Sequence, residues 1–528
     1  MLFVLAFLGL ELRLIMDIDG VLDIDTINFG LAALRFDLLH HQPHPPGYPG
    51  YVVLLKAVHL AAPWLAPIDI AKWTCRLASV ACIPAAYWLA STVLASGRSS
   101  TKRATPALWR PLAAAFLATV HPLLWYFGGD GQSHAAEALG TLILLGLALR
   151  VRVAGASNKA CMGLAALIGL GGSLRPTLIV VMLPVLVWVL WGRPLRQWAL
   201  AALAGTVAVA SWFLPLLAVC GGWNLYSRAT RALVQDLFFS HFSLLGKHAS
   251  TAWILLNLNK VFYGSLLALL PFLAWVPSSG ETSHSPWRRM VWIFLLANLG
   301  FYVLTFAPDL GYFTGLAALS TLVPAAWPEQ ASHLLKLRLA MVLGFVSLYM
   351  PLGPRALPCP FSPGEIDQPT LSHTFHFEKA LALYRDSVVH SQPEHGLLLL
   401  TDNIIVTHTR WLPLWNPNVV SAVYLFQHPY NRALDNWLIY TSRSMMSLPT
   451  QVPLEAGPPA EGILPFAVAR VMVGQDASEG FFKAVAASAT CAPFPQEHAW
   501  PDSPAVWPAT CVPELRLGQN RLVIPSRS

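Results

Sequence analysis

The sequence predicts an α-helical polytopic membrane protein that ends in a mixed α/β domain, and three observations carry that expectation. Of 528 residues, 55% are hydrophobic and only 12% charged, against roughly 25% charged in soluble proteins. Apolar runs of about 18 residues or more recur, long enough to cross roughly 30 Å of hydrocarbon. The basic excess is also uneven. Residues 353–528 hold 11 Lys/Arg and 14 Asp/Glu, and the first 352 hold 23 and 13. A net charge of +7 that sits in loops between apolar runs is a topology signal. No basic cluster with interleaved aromatics stands out, so no nucleic-acid partner is expected.

Taken in order, the runs predict eleven spanning helices at about 2–16, 73–95, 111–127, 134–150, 160–174, 176–191, 198–219, 252–276, 290–307, 311–326 and 339–352. The first lacks a basic n-region and a small-residue cleavage site, so it reads as a retained helix. Segments 160–174 and 176–191 are expected to meet in a tight turn at Gly171-Gly172-Ser173. The loops near 97–110, 150–160, 192–197, 277–289 and 327–338 carry 13 Lys/Arg and two acids. The intervening loops carry most of the acids. The positive-inside rule puts the basic set and the N-terminus in the cytoplasm, and the first outer loop, 17–72, outside. Residues 48–66 then cannot span, and they read as a helix against the outer leaflet, preceded by an amphipathic stretch at 25–40.

Beyond residue 352 Pro and Gly rise and no run is long enough to span. Leu397–Leu400 and Ala467–Val473 read as strands and Phe375–Val389 as an amphipathic helix. The expected organisation is a membrane domain at 1–352 and an extracytoplasmic domain at 353–528. Cys75, Cys82, Cys161 and Cys220 fall in or near apolar segments, as packing residues do. An oxidising compartment would allow Cys491 and Cys511 to pair. No Cys/His spacing suggests zinc.

The chemistry concentrates in the first outer loop. Asp17, Asp19, Asp23 and Asp25 fall within nine residues. A loop that merely lacks Lys and Arg would also look acidic. Two features go further. Asp25 and Asn28 are three apart at the start of a helix and share a face. The segment His40-His41-Gln42-Pro43-His44-Pro45-Pro46-Gly47-Tyr48-Pro49 is stiff and ends in a helix-starting proline.

Asp25-Thr26-Ile27-Asn28-Phe29 followed by His44-Pro45-Pro46-Gly47-Tyr48-Pro49 resembles the first outer loop of the GT-C superfamily of membrane glycosyltransferases. Bacterial family-39-like, HPPGYP-containing membrane proteins look nearest. Protein O-mannosyltransferases and aminoarabinose transferases are more distant. The resemblance covers about residues 1–350. It departs at Asn28, where related proteins carry a glutamate. It implies a GT-C-like membrane fold that moves a sugar from a polyprenyl-phosphate carrier to an acceptor outside the membrane, by a single inverting displacement with Asp25 as catalytic base.

The chemistry asks for such residues. A hydroxyl is a poor nucleophile until a carboxylate draws on its proton, and a departing phosphate needs a cation to take the developing charge. Arg175, in Gly171-Gly172-Ser173-Leu174-Arg175-Pro176-Thr177, suits bidentate phosphate recognition; the bland reading is a snorkelling interfacial arginine. Arg228 and Arg231 are weaker candidates. Asp130 and Glu137 lie where the resemblance implies a metal or acceptor site, and an ionisable Glu137 in an apolar helix is costly. An all-oxygen ligand set for a divalent ion does not assemble, so neither metal nor cofactor is expected. Asn28, His44, Tyr48 and Tyr312 complete the substrate-binding candidates. Tyr312 closes Pro308-Asp309-Leu310-Gly311-Tyr312, which is similar to a Gln-Pro-Gly-Tyr segment of these relatives, interrupted by Asp309-Leu310.

The expected partners are a polyprenyl-phosphate-linked sugar, an acceptor the sequence does not identify, and membrane lipid. Two other classes compete. A transporter of lipid-linked glycans would carry more mid-membrane charge than Arg13 and Lys260 supply. A membrane scaffold with a degenerate site stays open because Asn28 replaces an acid.

Overall fold

Each expected apolar run is helical in the computed structural model. It describes residues 1–375 apart from 16, 18–20, 39–41, 97–107, 156, 232–233, 235–238, 241–242, 275–284 and 328–332, and beyond them ten strands between 396 and 522. The chain divides into two compact units. One comprises Met1–Ile18, Asn28–Thr230 and Val234–Phe375; the other comprises Asp19–Ile27, Arg231–Leu233 and His376–Ser528.

The helices are α1 (Leu2–Leu14), α2 (Ile24–Leu34), α3 (Pro49–Ala61), α4 (Pro67–Ser96), α5 (Trp109–Val120), α6 (Pro122–Tyr126), α7 (His134–Val153), α8 (Asn158–Leu174), α9 (Thr177–Leu190), α10 (Leu195–Val219), α11 (Trp223–Thr230), α12 (Thr251–Leu269), α13 (Pro286–Leu304), α14 (Thr314–Ser320) and α15 (His333–Leu352). Among the described residues, three stretches are long and apolar enough to cross a membrane by length and composition: α4, α10, and α12 with its 3-10 extension to Ala274.

Prolines decide several boundaries. The run expected at 111–127 breaks at His121, which is extended (ψ 124°) before Pro122; a residue preceding proline disfavours the helical region. The run at 311–326 is α14 flanked by 3-10 turns at Leu310–Phe313 and Val323–Ala326. The break between α8 and α9 differs from expectation. Gly171, Gly172 and Ser173 lie inside α8, and the chain turns instead at Arg175 (φ −157°, ψ 118°), ahead of Pro176. The small residues serve packing: a Cβ at Gly169 would stand 2.7 Å from the Gly205 carbonyl oxygen, so α8 and α10 meet backbone to backbone. The stretch expected to be amphipathic over 25–40 is helical only to Leu34, and that expected at 48–66 runs from Pro49 to Ala61.

Arg13, which reads from sequence as a charge within a membrane segment, and Arg76 are both internal struts. Arg13 is fully buried and donates to Ser79 Oγ (2.7 Å) and to the carbonyls of Gly9 (2.8 Å) and Thr119 (3.3 Å). Arg76 and Lys72 sit one turn apart on α4, both buried, and both reach Asp17 Oδ1, at 2.6 and 3.1 Å. Asp17 thus has a structural role, unlike a solvated loop acid. Asp17→Ala leaves two buried cations short of an acceptor. It is expected to destabilise the protein by about 1–3 kcal/mol, seen as an earlier thermal melt in detergent at neutral pH. Partial burial raises the Asp17 pKa, but Lys72 and Arg76 more than offset this and hold it below 3.8. Its contribution is therefore complete above that value and fades as the pH falls through the lower folded pKa.

A hairpin of β1 (Ala356–Pro358) and β2 (Glu365–Asp367) is tied to α12. Tyr263 Oη donates to the Pro358 carbonyl (2.6 Å) and Asn259 Oδ1 accepts from the Phe361 N–H (2.9 Å). In the second unit the strands are β3 (Gly396–Asp402), β4 (Val419–Tyr424), β5 (Asn436–Tyr440), β6 (Met445–Pro449), β7 (Leu454–Gly457), β8 (Phe466–Val471), β9 (Ala492–Pro493), β10 (Val506–Thr510), β11 (Glu514–Leu517) and β12 (Asn520–Leu522). Seven form a mixed sheet in the order β6-β5-β4-β3-β8-β10-β9, and three form a second sheet, β12-β11-β7. β3 is parallel to both β4 and β8, and the other pairs of that sheet are antiparallel. The strands expected at Leu397–Leu400 and Ala467–Val473 are β3 and β8. Most of the helix expected at Phe375–Val389, and the pair Cys491 and Cys511, lie outside the described residues.

Candidate active site

The site grows from two chain breaks. Between α6 and α7 the chain turns through Gly128-Gly129-Asp130-Gly131. Gly131 takes φ 91°, a left-handed conformation open to glycine. Gly128 packs so closely on α4 that a Cβ would fall 2.3 Å from Ser79 Oγ. Asp130 Oδ1 accepts from the Gln132 N–H (2.9 Å) and fixes the turn. The turn then delivers Ser133, His134 and Glu137 to the start of α7. The second break, at Arg175-Pro176, frees Arg175 from helical geometry and turns its side chain onto those residues.

Arg175 is 3% exposed and Glu137 1%. Arg175 Nε stands 2.9 Å from Glu137 Oε2, and Nη1 donates to Ser133 Oγ at 3.0 Å. Thr177 Oγ1 donates to Glu137 Oε1 at 2.8 Å. The guanidinium lies over the Tyr312 ring, 4.3 Å from its centroid, a cation–π contact that strengthens away from water. Burial works against the charge of Arg175, but Glu137, with Tyr312, Tyr48 and Tyr302 around it, more than offsets this and keeps it protonated. Nη2 takes part in neither the Glu137 nor the Ser133 contact. A snorkelling arginine would reach for the interface; this one is enclosed.

Tyr312 is braced in turn. Its ring meets Tyr302 edge-on at 5.5 Å and His134 at 5.2 Å. His134 is fully buried and brings Nε2 within 3.5 Å of Asp309 Oδ1. That oxygen also accepts from the Gly311 N–H at 2.6 Å. Lys260 Nζ donates to the Pro308 carbonyl, and Asn257 Oδ1 accepts from the Ala307 N–H at 2.9 Å. Partial burial raises the Asp309 pKa, while His134, Arg175 and the Gly311 N–H together hold it below the ordinary carboxylate value. At Gly311 a Cβ would come within 2.6 Å of the His134 ring and 2.7 Å of the Phe127 ring. Gly311→Ala is therefore expected to cost about 1–3 kcal/mol through overpacking, read as a lower melting temperature in detergent.

Phe29 gathers the motif residues. Its ring meets Tyr48 at 5.3 Å, Tyr51 at 4.9 Å and His44 at 5.5 Å, each edge-on. His44 Nε2 and Tyr48 Oη are 3.2 Å apart. Tyr48, at φ 44°, and Gly47, at φ 106°, turn the chain into α3. Tyr51 Oη donates to the carbonyls of Gly131 (3.1 Å) and Gln132 (3.0 Å), which joins the motif to the Asp130 turn.

Among the residues expected from sequence, the structure brings Glu137, Arg175 and Tyr312 into contact, with Tyr48 near enough to act on the charge of Arg175. Asp130 anchors the adjoining turn. Asn28 is buried on α2 beside Phe29. Asp25 opens α2, partly buried, and its N–H donates to Asp23 Oδ1 at 2.7 Å. Arg228 and Arg231 are exposed. Sequence reasoning passed over Ser133, His134, Thr177 and the role of Asp309. His134 alone had a signal, three residues before Glu137 and so on its face of α7. Among the described residues no three His, Cys, Asp or Glu side chains converge as a metal site.

No curated protein matches this chain in sequence. Residues 38–199 match the family model described as the protein O-mannosyl-transferase TMEM260 N-terminal domain, a span that contains His44, Tyr48, Asp130, Glu137 and Arg175. The fold is similar to that of ArnT from Cupriavidus metallidurans. The crystal structure of ArnT bound to undecaprenyl phosphate superposes with a TM-score of 0.56 at 14% identity, covering 96% of this chain and 97% of that one. The apo state gives 0.56 at 12% identity with the same coverage. At such identities the likeness is one of fold. In sequence, then, residues 38–199 resemble an O-mannosyl-transferase N-terminal domain, and the chain as a whole has a fold similar to that of ArnT.

Proposed function

We propose that the protein transfers a monosaccharide from a polyprenyl-phosphate carrier to an acceptor hydroxyl on the extracytoplasmic face of the membrane. The observation that carries the reading is Arg175: a buried, charged guanidinium fixed on one side by Glu137 and Ser133, with an edge left for a phosphate. Donors fixed before the reaction begins stabilise a charge that develops in the transition state without reorganising. The bond from the anomeric carbon to the phosphate oxygen breaks, and a bond to the acceptor oxygen forms on the opposite face. Asp25 takes the hydroxyl proton, and the carrier leaves as polyprenyl phosphate against Arg175. Asn28, His44 and Tyr48 contribute polar contacts to the sugar, Tyr312 caps the guanidinium, and Asp130 shapes the floor.

Support comes from three sides. The matched family model describes an O-mannosyl-transferase domain. A protein of similar fold binds undecaprenyl phosphate. The loop charges favour a cytoplasmic N-terminus, with residues 1–352 as the membrane domain and 353–528 outside. Asn28 in place of an acid favours a second reading, a scaffold that has lost catalysis. Purified protein in vesicles, given radiolabelled sugars on polyprenyl phosphate, separates the two. Transfer of label from at least one lipid-linked hexose, and none from the corresponding nucleotide sugar, is expected. No turnover of any lipid-linked sugar would favour the scaffold.

A further inference from the structure

The carboxylates around Arg175 differ in one respect. Glu137 and Asp130 are 1% and 4% exposed and are consumed by internal partners. The Asp309 side chain is 33% exposed, and His134 and Tyr312 link it to Arg175. The His134 ring touches the Tyr312 ring at 5.2 Å, and the Tyr312 ring lies 4.3 Å from the guanidinium. Asp309 Oδ1 is occupied by the Gly311 N–H and faces His134. The turn itself cannot drift: Lys260 and Asn257 hold the residues before it, and Thr314 Oγ1 donates to the His134 carbonyl at 3.1 Å just after it.

We propose that Asp309 is a specificity-determining residue whose second oxygen, Oδ2, accepts hydroxyl hydrogen bonds from the sugar of the lipid-linked donor, with His134 holding the carboxylate in position. This deepens the glycosyltransferase reading and rests on it. A carboxylate is an acceptor with several lone pairs and no donor. It therefore favours groups that present hydroxyl hydrogens and disfavours a second anion, so it suits the sugar and not the phosphate that Arg175 takes. The short brace from Asp309 to Arg175 fixes the separation of the two contacts, so a sugar joined to a held phosphate meets the carboxylate with a defined edge. Asp309 is half-open where the other acids are enclosed, as a ligand-facing acceptor needs to be. It also places a carboxylate in this chain despite the amide at Asn28.

The test compares binding of bare polyprenyl phosphate with binding of polyprenyl-phosphate mannose, glucose and galactose to the purified full-length protein, wild type beside Asp309→Asn. The wild type is expected to bind one sugar-bearing lipid about tenfold more tightly than the bare lipid, a typical difference for one hydrogen bond to a charged acceptor. Asp309→Asn removes that preference while the affinity for the bare lipid changes less than about twofold. Asn keeps an oxygen for the Gly311 N–H, so the turn is preserved, and an unchanged thermal melt checks this. His134→Gln is expected to lose part of the preference in the same direction. The proposal is overturned if Asp309→Asn weakens the bare and sugar-bearing lipids alike, which marks a structural role, or if it leaves the preference intact. Wild-type protein that binds none of the lipids would remove the glycosyltransferase reading and this proposal with it, an outcome distinct from an Asp309 failure alone.

Discussion

Asp25→Asn is expected to lower turnover of a lipid-linked sugar by about 10²–10⁴-fold, the usual contribution of a positioned general base, with little change in donor affinity. The substitution is nearly isosteric and leaves the first turn of α2 intact, since the backbone N–H of residue 25 still donates to Asp23 Oδ1. What it removes is the ability to accept the acceptor's proton. A loss confined to kcat therefore marks an interaction made in the transition state. Steady-state kinetics in vesicles checks this. Equal turnover in the two proteins would take Asp25 out of the mechanism, and equal loss in kcat and donor binding would recast it as a binding residue.

The second large effect is on stability. Glu137→Ala leaves the Arg175 guanidinium buried with its nearest counter-charge gone, and an uncompensated buried charge of this kind costs about 3–5 kcal/mol. Thermal or denaturant unfolding in detergent measures it. The double variant Glu137→Ala, Arg175→Ala is expected to be more stable than Glu137→Ala alone, because removing both charges also removes the stranded one. Additive losses would mean that the two side chains do not depend on each other, whatever their 2.9 Å separation. A buried ion pair of this kind is a weak source of stability, and the better reason to retain it is that it fixes where the cation points.

Much of this was legible in the sequence. The helices were, because long apolar runs can satisfy their backbone only as helix. Their interruptions were less so. The sequence places the break after α8 at Gly171-Gly172-Ser173, where glycine invites a turn, but a helix packed backbone to backbone against α10 uses small residues to come close, and Pro176 ends it. Glu137 and Arg175 could be singled out because buried charge is expensive wherever it falls. Their pairing could not, since the 37 intervening residues carry no register. Ser133 was hidden for the opposite reason: in a Gly-rich turn a polar residue is unremarkable until the turn is folded. Asp17 looked like one acid among four, and only the arrangement of Lys72 and Arg76 on a single face of α4 gives it a distinct role.

Arg13 bears on how the chain enters the bilayer. Arg13 stands in the last turn of α1, where an unpartnered arginine in lipid costs less than the roughly 2.5–3.5 kcal/mol of one at a helix centre. The acceptors that relieve that cost lie far along the chain, at Ser79 and at the Thr119 carbonyl, 66 and 106 residues later. The first helix therefore gains its full set of partners only once α4 and the end of α5 have been made, so its final seat is a property of the group and not of that segment alone.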